Sequence, residues 1–331
     1  MTPVTTGIIG CGPRSYGHAK AAREGGALRV VYACDIRRDR MERAAAEWGV
    51  TGVEDYRAIL ADPAVEAVNV VTDVANHLPI VRDALRAGKH ILCEKPFGDD
   101  IAVARVLAAE AARSDRVTAI SFQLRFSDAY AAVKDAAETI DPVQVFLGRS
   151  RGMMKPQFLN ASPFCGIMDF LAHDFDLVAW LMGRAPEAVT AVLRRDTFAR
   201  NTGTADAMSV LVDFGDGRSA TLVSSIGAAE IGEKCDVTGA AGNVRLERGG
   251  ARHGVRFQPG QSDGPKEPVP FREPSGLNPD TSLQRAFATE VRGGPRSRLA
   301  RFSDGLHSLL LTLACLESAA SRRRVCLSEV R

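Results

Sequence analysis

The sequence predicts an α/β protein of two domains. Residues 1–122 form a doubly wound parallel sheet, and residues 123–331 form an α/β domain with an open, mainly antiparallel sheet. Three observations predict it. Up to residue 122, short apolar runs alternate with helical stretches, as in a parallel sheet covered on both faces. From residue 143 on, strand patterns follow one another across turn-rich links such as Gly215-Asp216-Gly217, which means hairpins. A chain of 331 residues also exceeds what one small core accommodates.

In order, residues 6–9 read as a short buried strand, 15–23 as helix, and 28–34 as a second strand ending in Asp35. Residues 38–48 are Ala-, Arg- and Glu-rich helix, and 55–60 a short one. Strand 65–71 precedes helix 76–87, which Gly88 closes. Strand 90–93 runs into Glu94-Lys95-Pro96, followed by helix 100–112 and strand 117–122. Right-handed crossovers turn this alternation into a doubly wound domain. In the second half, strands are expected at 143–151, 188–198, 207–214, 218–225, 234–238, 244–247 and 255–258. Residues 259–281, rich in Pro, Gly and polar side chains, read as a long surface loop, and 282–291 and 304–321 as helices. The last helix is expected to pack back on the first domain, with Arg322-Arg323-Arg324 as its basic last turn.

Composition narrows the function. Hydrophobic content of 45% and charged content of 25% are those of an ordinary globular protein, and a net charge of +2 gives no reason to expect nucleic acid. Seven cysteines, without a CxxC pair, suit reduced thiols in a cytoplasm better than disulfides or zinc. No Cys/His cluster has ligand spacing, so no metal is expected. The N-terminus lacks the pattern of a signal peptide, and no apolar run is long enough to span a bilayer, so no membrane association is expected.

Gly10-Cys11-Gly12 lies between the first strand and the first helix, where glycine permits a tight turn and close approach of a pyrophosphate to the helix N-terminus. Pro13 and Arg14 follow, and Ser15 stands where the fingerprint usually has Gly or Ala. Asp35, at the end of the second strand, is placed to bind the ribose hydroxyls, which favours NAD. Arg37 and Arg38, next to it, leave NADP open. Thr72, Asn76 and His77 lie at the carboxyl edge of the sheet, where Thr72 and His77 are cofactor candidates and Asn76 is equally a helix cap. Glu94 and Lys95 end the next strand. A lysine there can donate a proton or clamp a developing alkoxide, while the plainer reading is a surface Glu–Lys pair.

Residues 165–182, CGIMDFLAHDFDLVAWLM, form a helix apolar on almost every side. Asp169, His173, Asp176 and Trp180 nevertheless share an arc of about 60°. Such a polar seam costs stability unless its groups are paired or used. Satisfied core carboxylates and a reactive site both stay open for the helix taken alone.

These motifs together resemble the glucose–fructose oxidoreductase / inositol dehydrogenase (Gfo/Idh/MocA) family. The resemblance rests on Gly10-Cys11-Gly12 with His18, Asp35, Thr72 with His77, AGKHILCEKP at 87–96, and Asp169-xxx-His173-xx-Asp176. GAAG at 239–242 and Leu316-Glu317-Ser318-Ala319 extend it over essentially the whole chain. It implies an N-terminal Rossmann domain, a C-terminal domain whose sheet makes dimers or tetramers, a nicotinamide cofactor and a polyol or sugar substrate. Lys95, Asp169 and His173 would be the catalytic set, and Gly10, Gly12, Pro13, Arg14, Asp35, Arg38, Thr72, His77, Glu94 and Lys95 the cofactor residues. Gln123, Arg125, Arg151, Lys155 and Asp176 are candidates for substrate contact. Leu171, Cys165-Gly166 and Gln123-Leu124-Arg125 depart from the family pattern and bear on which polyol is used, inositol-dehydrogenase-like or of an aminosugar pathway. Two other readings stay open: a glycosidase that retains NAD, and a non-enzymatic dinucleotide sensor.

Overall fold

The computed structural model describes residues 2–152, 167–195, 205–228, 231–249, 252–259 and 277–331. The chain divides into two units, Met1–Ser127 with Gly276–Leu306, and Asp128–Ser275 with His307–Arg331. The division therefore falls after Ser127 rather than after residue 122, and a late segment returns to the first unit.

In the first unit, β1 (Val4–Ile9), α1 (Pro13–Gly25), β2 (Leu28–Cys34), α2 (Arg38–Trp48), β3 (Thr51–Val53), α3 (Tyr56–Ala61), β4 (Ala67–Val70), α4 (Val74–Arg86), β5 (His90–Cys93), α5 (Ile101–Arg113) and β6 (Thr118–Ile120) alternate as expected. The short β3 was not anticipated, because Thr51-Gly52-Val53 carries too few apolar residues to stand out. The six strands are parallel in the order β3-β2-β1-β4-β5-β6. Strand order reverses between β1 and β4, and a crevice forms at the carboxyl ends of such strands. Ile8, Val68, Val70 and Ile91 are fully buried in this sheet. A one-turn helix at Gln123–Phe126 follows β6.

The returning segment contributes α8 (Pro279–Val291), which starts inside the stretch expected to be a loop. Asn278 caps it by accepting from the Asp280 N–H, and Pro279 takes the first helical position. Leu283, Phe287 and Leu299 complete a core with Val4, Ala22 and Leu28. The rest of that expected loop, residues 260–276, lies outside the described residues.

The second unit opens on α6 (Asp128–Ala137), an Ala-rich helix the sequence reading left unassigned. Then come β7 (Pro142–Arg151), α7 (Ile167–Met182), β8 (Ala188–Arg195), β9 (Ala205–Asp213), β10 (Ser219–Ile226), β11 (Gly232–Gly239), β12 (Gly242–Gly249) and β13 (Arg252–Pro259). Helix α9 (Phe302–Ser321) starts in the first unit and runs through the second, and β14 (Val325–Cys326) ends the sheet. The order is β13-β12-β11-β7-β10-β9-β8-β14, antiparallel except for the β7–β10 pair. Leu171, Phe175, Val178 and Leu181 of α7 are fully buried. The arginine run does not form the last turn of α9. Arg322 adopts a left-handed φ of 58° and ends the helix, and Arg323 and Arg324 pair with Glu317, Glu329 and Asp213 beyond it.

Among the described residues, no helix is long and apolar enough to cross a membrane, and no three His, Cys, Asp or Glu side chains gather to hold a metal.

Candidate active site

At the switch point, Gly10 has a φ of +100°, and a Cβ there would lie 2.3 Å from the Val71 carbonyl oxygen. Only glycine fits. A Cβ on Gly12 would meet nothing within 4 Å, so the N-terminus of α1 opens onto space, and no side chain caps it. Ser15, the departure from the fingerprint, is fully buried and donates to the Gly12 carbonyl at 2.6 Å. Its hydroxyl therefore braces the turn from within. This cradle fits a dinucleotide pyrophosphate.

Asp35 is aimed by two backbone donors, Cys11 N–H to Oδ2 and Arg37 N–H to Oδ1, both at 2.8 Å. Each oxygen keeps a lone pair for a ribose hydroxyl. The Arg37 guanidinium is bound to Asp39 at 2.8 Å and that of Arg38 to Glu42 at 2.7 Å. Both arginines thus have local partners, and Arg38, expected to bind cofactor, instead forms an i,i+4 pair on α2. Burial pushes the Cys11 and Cys34 thiols up to about 12, as suits inert packing groups.

Arg14 and Glu94, expected to touch cofactor, belong to a partly buried network. Arg14 Nε donates to Glu94 Oε1 at 2.8 Å, and its two Nη donate to both oxygens of Asp280 at 2.8 and 2.6 Å. His18 Nε2 donates to the same Glu94 oxygen at 2.7 Å, and His18 Nδ1 accepts from Asn69 Nδ2 at 3.0 Å. Burial alone would raise the Glu94 pKa. The His18 hydrogen bond and the Arg14 charge outweigh it and hold the carboxyl well below its ordinary range. Glu94 is 4% exposed, and its carboxylate is taken up by these protein donors. Lys95, half-buried, follows it, and the Lys95–Pro96 bond is cis.

His77 is held between two backbone carbonyls. Its Nδ1 faces the Pro96 carbonyl at 2.8 Å and its Nε2 the Thr72 carbonyl at 3.0 Å, tying two loops at the sheet edge together. Burial pushes its pKa down, against the pull of the two carbonyls. Thr72 remains partly exposed, its hydroxyl donating to the Asp73 carbonyl at 3.2 Å.

In the second unit, Asp169 is half-buried while His173 and Asp176 are buried on α7. Asp174, 100° around the helix from His173, faces the sheet. It is 1% exposed and receives Arg149 and Arg151, the latter at 3.3 Å. Arg149 also reaches Glu233 and Tyr130, and Tyr130 donates to Glu233. Burial opposes the Glu233 charge, but Arg149 holds its pKa below the ordinary value. Arg151, expected to touch substrate, is instead engaged with Asp174, Ser224 and the Phe170 ring. Arg125 is likewise buried in the first unit, paired with Asp304 at 3.4 Å. Gln123 lies in the same one-turn helix. Lys155 falls outside the described residues.

The sequence reading missed Asn69, Asp280, Arg149, Tyr130 and Glu233. Only Asp280 carried a local signal, since Asn278-Pro279 marks a helix start.

A parallel sheet in this order, with an open glycine turn at its switch point and a carboxylate at the end of β2, is the architecture of a dinucleotide-binding domain. Residues 4–122 match the oxidoreductase family model with an NAD-binding Rossmann fold, and residues 142–245 match the Gfo/Idh/MocA C-terminal domain. The chain belongs to the Gfo/Idh/MocA oxidoreductase family, and NAD is its cofactor. It is 27% identical over 335 residues to inositol 2-dehydrogenase of Rhizobium meliloti, covering 97% of this chain and 98% of the relative. It is 26% identical over 334 residues to myo-inositol 2-dehydrogenase of Thermotoga maritima, covering 98% of each. The structure of scyllo-inositol dehydrogenase from Lactobacillus casei, with bound NAD(H) and scyllo-inositol, superposes with a TM-score of 0.81 at 22% identity, over 99% of this chain and 100% of that one. At that identity the likeness establishes the fold.

Proposed function

We propose that the protein is an NAD-dependent dehydrogenase that oxidises a secondary alcohol of a cyclitol, sugar or aminosugar to a ketone, or runs the reverse. The observation that carries the reading is His173, a buried histidine one turn from Asp169 on a mostly apolar helix, in a chain that also holds the glycine cradle and Asp35. Likeness to inositol dehydrogenases over nearly the whole chain supports the cyclitol class.

NAD, when bound, supplies the hydride acceptor. Gly10, Gly12 and the N-terminus of α1 would hold its pyrophosphate, and Asp35 its ribose. His173 takes the hydroxyl proton as general base, imidazole being the side chain that titrates near neutral pH. Asp169 orients the substrate hydroxyl or the imidazole. Lys95 stabilises the developing alkoxide. Asp176, 2% exposed, serves as an anchor of α7.

The test is the near-ultraviolet absorbance of reduced nicotinamide, with NAD or NADP and a panel of inositols, sugars and aminosugars. Reduction of NAD by one compound supports the reading and names its class. Silence across the panel, with NAD that copurifies and leaves only on denaturation, favours a retained-cofactor enzyme instead. His173→Ala should lower turnover by at least about 10²-fold and leave NAD affinity nearly unchanged. Near-normal turnover in that variant refutes the general-base role.

Self-association through the second sheet is part of the same proposal. Val192, Leu211 and Val223 share one face of β8, β9 and β10 and are 66%, 48% and 44% exposed, whereas Ala191, Val210 and Leu222 on the other face are buried. Light scattering of the wild type and of Val192→Asp tests it. A monomeric wild type refutes it.

A further inference from the structure

We propose that Glu94 is a positioning residue that registers Lys95 to the phosphate-binding end of α1 through Arg14. The inference rests on Lys95 acting at the substrate oxygen as set out above. A carboxylate buried one residue before Lys95 is costly unless its bonds do something in return. Both of its oxygens are occupied. Oε1 receives Arg14 Nε and His18 Nε2, and Oε2 receives the backbone N–H of Lys95 at 3.1 Å.

The partners come from elements that meet at the carboxyl edge of the sheet. Arg14 is the second residue of α1, directly after the open glycine turn. Asn69 on β4 holds His18 from the far side, and Asp280 on α8 takes both Nη of Arg14. The main chain of Lys95 is therefore tied to the turn that receives the pyrophosphate. A ligand seated in that turn and a lysine placed by this network share one frame, and such alignment governs rate more than affinity.

The experiment uses Glu94→Gln, Arg14→Lys and the double variant, in the full chain with NAD and the alcohol identified in the panel. Gln keeps the shape of Glu94 but not its charge. Lys keeps the Arg14 charge near the phosphates but lacks the planar fork that spans Glu94 and Asp280. In each single variant kcat is expected to fall at least about tenfold, with KM for the alcohol and Kd for NAD within about threefold. The double variant is expected to lose no more than about threefold beyond the larger single loss, because both changes break one connection. A folded Glu94→Gln with kcat within about twofold of wild type, or multiplicative losses in the double variant, overturns the proposal. Should Glu94→Gln not fold, Arg14→Lys decides alone, and wild-type kcat in that variant overturns it.

A second readout needs no turnover: reductive methylation of Lys95, followed by peptide mass spectrometry with and without NAD. NAD is expected to slow the wild-type reaction about fivefold or more and the Glu94→Gln reaction less than about twofold. Equal protection in both overturns the positioning role. A wild type inactive on every polyol refutes the proposed function instead, and the methylation result then decides the positioning role separately.

Discussion

Asp174→Asn probes the network that holds α7 against the second sheet. The carboxylate is 1% exposed and faces two guanidinium groups, Arg151 at 3.3 Å and Arg149 closer still. At that separation and an effective dielectric of about 20, one such pair has a gross Coulomb attraction of about 5 kcal/mol. Removing one partner of a buried pair costs about 3–5 kcal/mol, because a charge stays behind without its counterion. Arg149 keeps Glu233 and Tyr130, so the loss falls on the charge balance around Arg151. For a unit of this size, each kcal/mol lowers the melting temperature by about 2–4 °C, which predicts a fall of about 6–20 °C. Differential scanning calorimetry of the full chain reads it directly. Replacing Asp174, Arg149, Arg151 and Glu233 together by Leu, Met, Met and Gln should recover most of the loss, since no buried pair is then left half-broken. A melting temperature for Asp174→Asn within about 2 °C of wild type refutes the reasoning.

Three further outcomes are expected. Gly12→Ala should melt within about 1 °C of wild type, since its Cβ meets no protein atom within 4 Å, yet weaken NAD at least tenfold by calorimetric titration; Gly10→Ala should lose stability as well, by about 1–3 kcal/mol of backbone strain. The pair Asp35→Ser with Asp39→Ala removes the carboxylate facing the ribose and releases Arg37. About 1–3 kcal/mol of repulsion at about 5 Å, across dielectrics of 20–80, predicts a shift of roughly ten- to hundredfold in kcat/KM towards NADP, and an unchanged ratio would exclude Asp35 from cofactor selection. Arg292 lowers the Glu66 pKa to about 2, a depressed value. Its stabilisation is present above the unfolded-state pKa and lost as pH falls from about 4.5 through about 2, and solvent screening keeps it below about 1 kcal/mol. Urea melts at pH 5 and pH 2.5 should show a smaller difference for Arg292→Ala than for wild type.

Much of the first unit was legible before any fold was known. Gly10, Gly12 and Asp35 lie within one βαβ unit, where spacing along the chain dictates placement in space. The seam of Asp169, His173 and Asp176 followed from helical period alone, whereas the engagement of Asp174 by Arg149 and Arg151 came only with the structure. The alternation of hairpins after residue 143 announced a mainly antiparallel sheet, though only the structure paired β7 with β10 in parallel.

The roles of the charged residues around these motifs were decided elsewhere. Arg14, Glu94, Arg38 and Arg151 had the chemistry and the approximate position of ligand-binding groups, and each turned out to have a protein partner. For Arg14 the partner is Asp280, 266 residues away on a helix that returns to the first unit. Arg151 and Arg149 on β7 are claimed by Asp174 on α7, and Tyr130 and Glu233 join them from other elements. A motif is visible in sequence because a local backbone geometry demands its residues in a fixed order. The Arg38–Glu42 pair has the i,i+4 spacing of a helix and is readable in the sequence, but a pair between distant segments needs only opposite charge at close range and leaves no spacing to read, so only the tertiary structure reveals it.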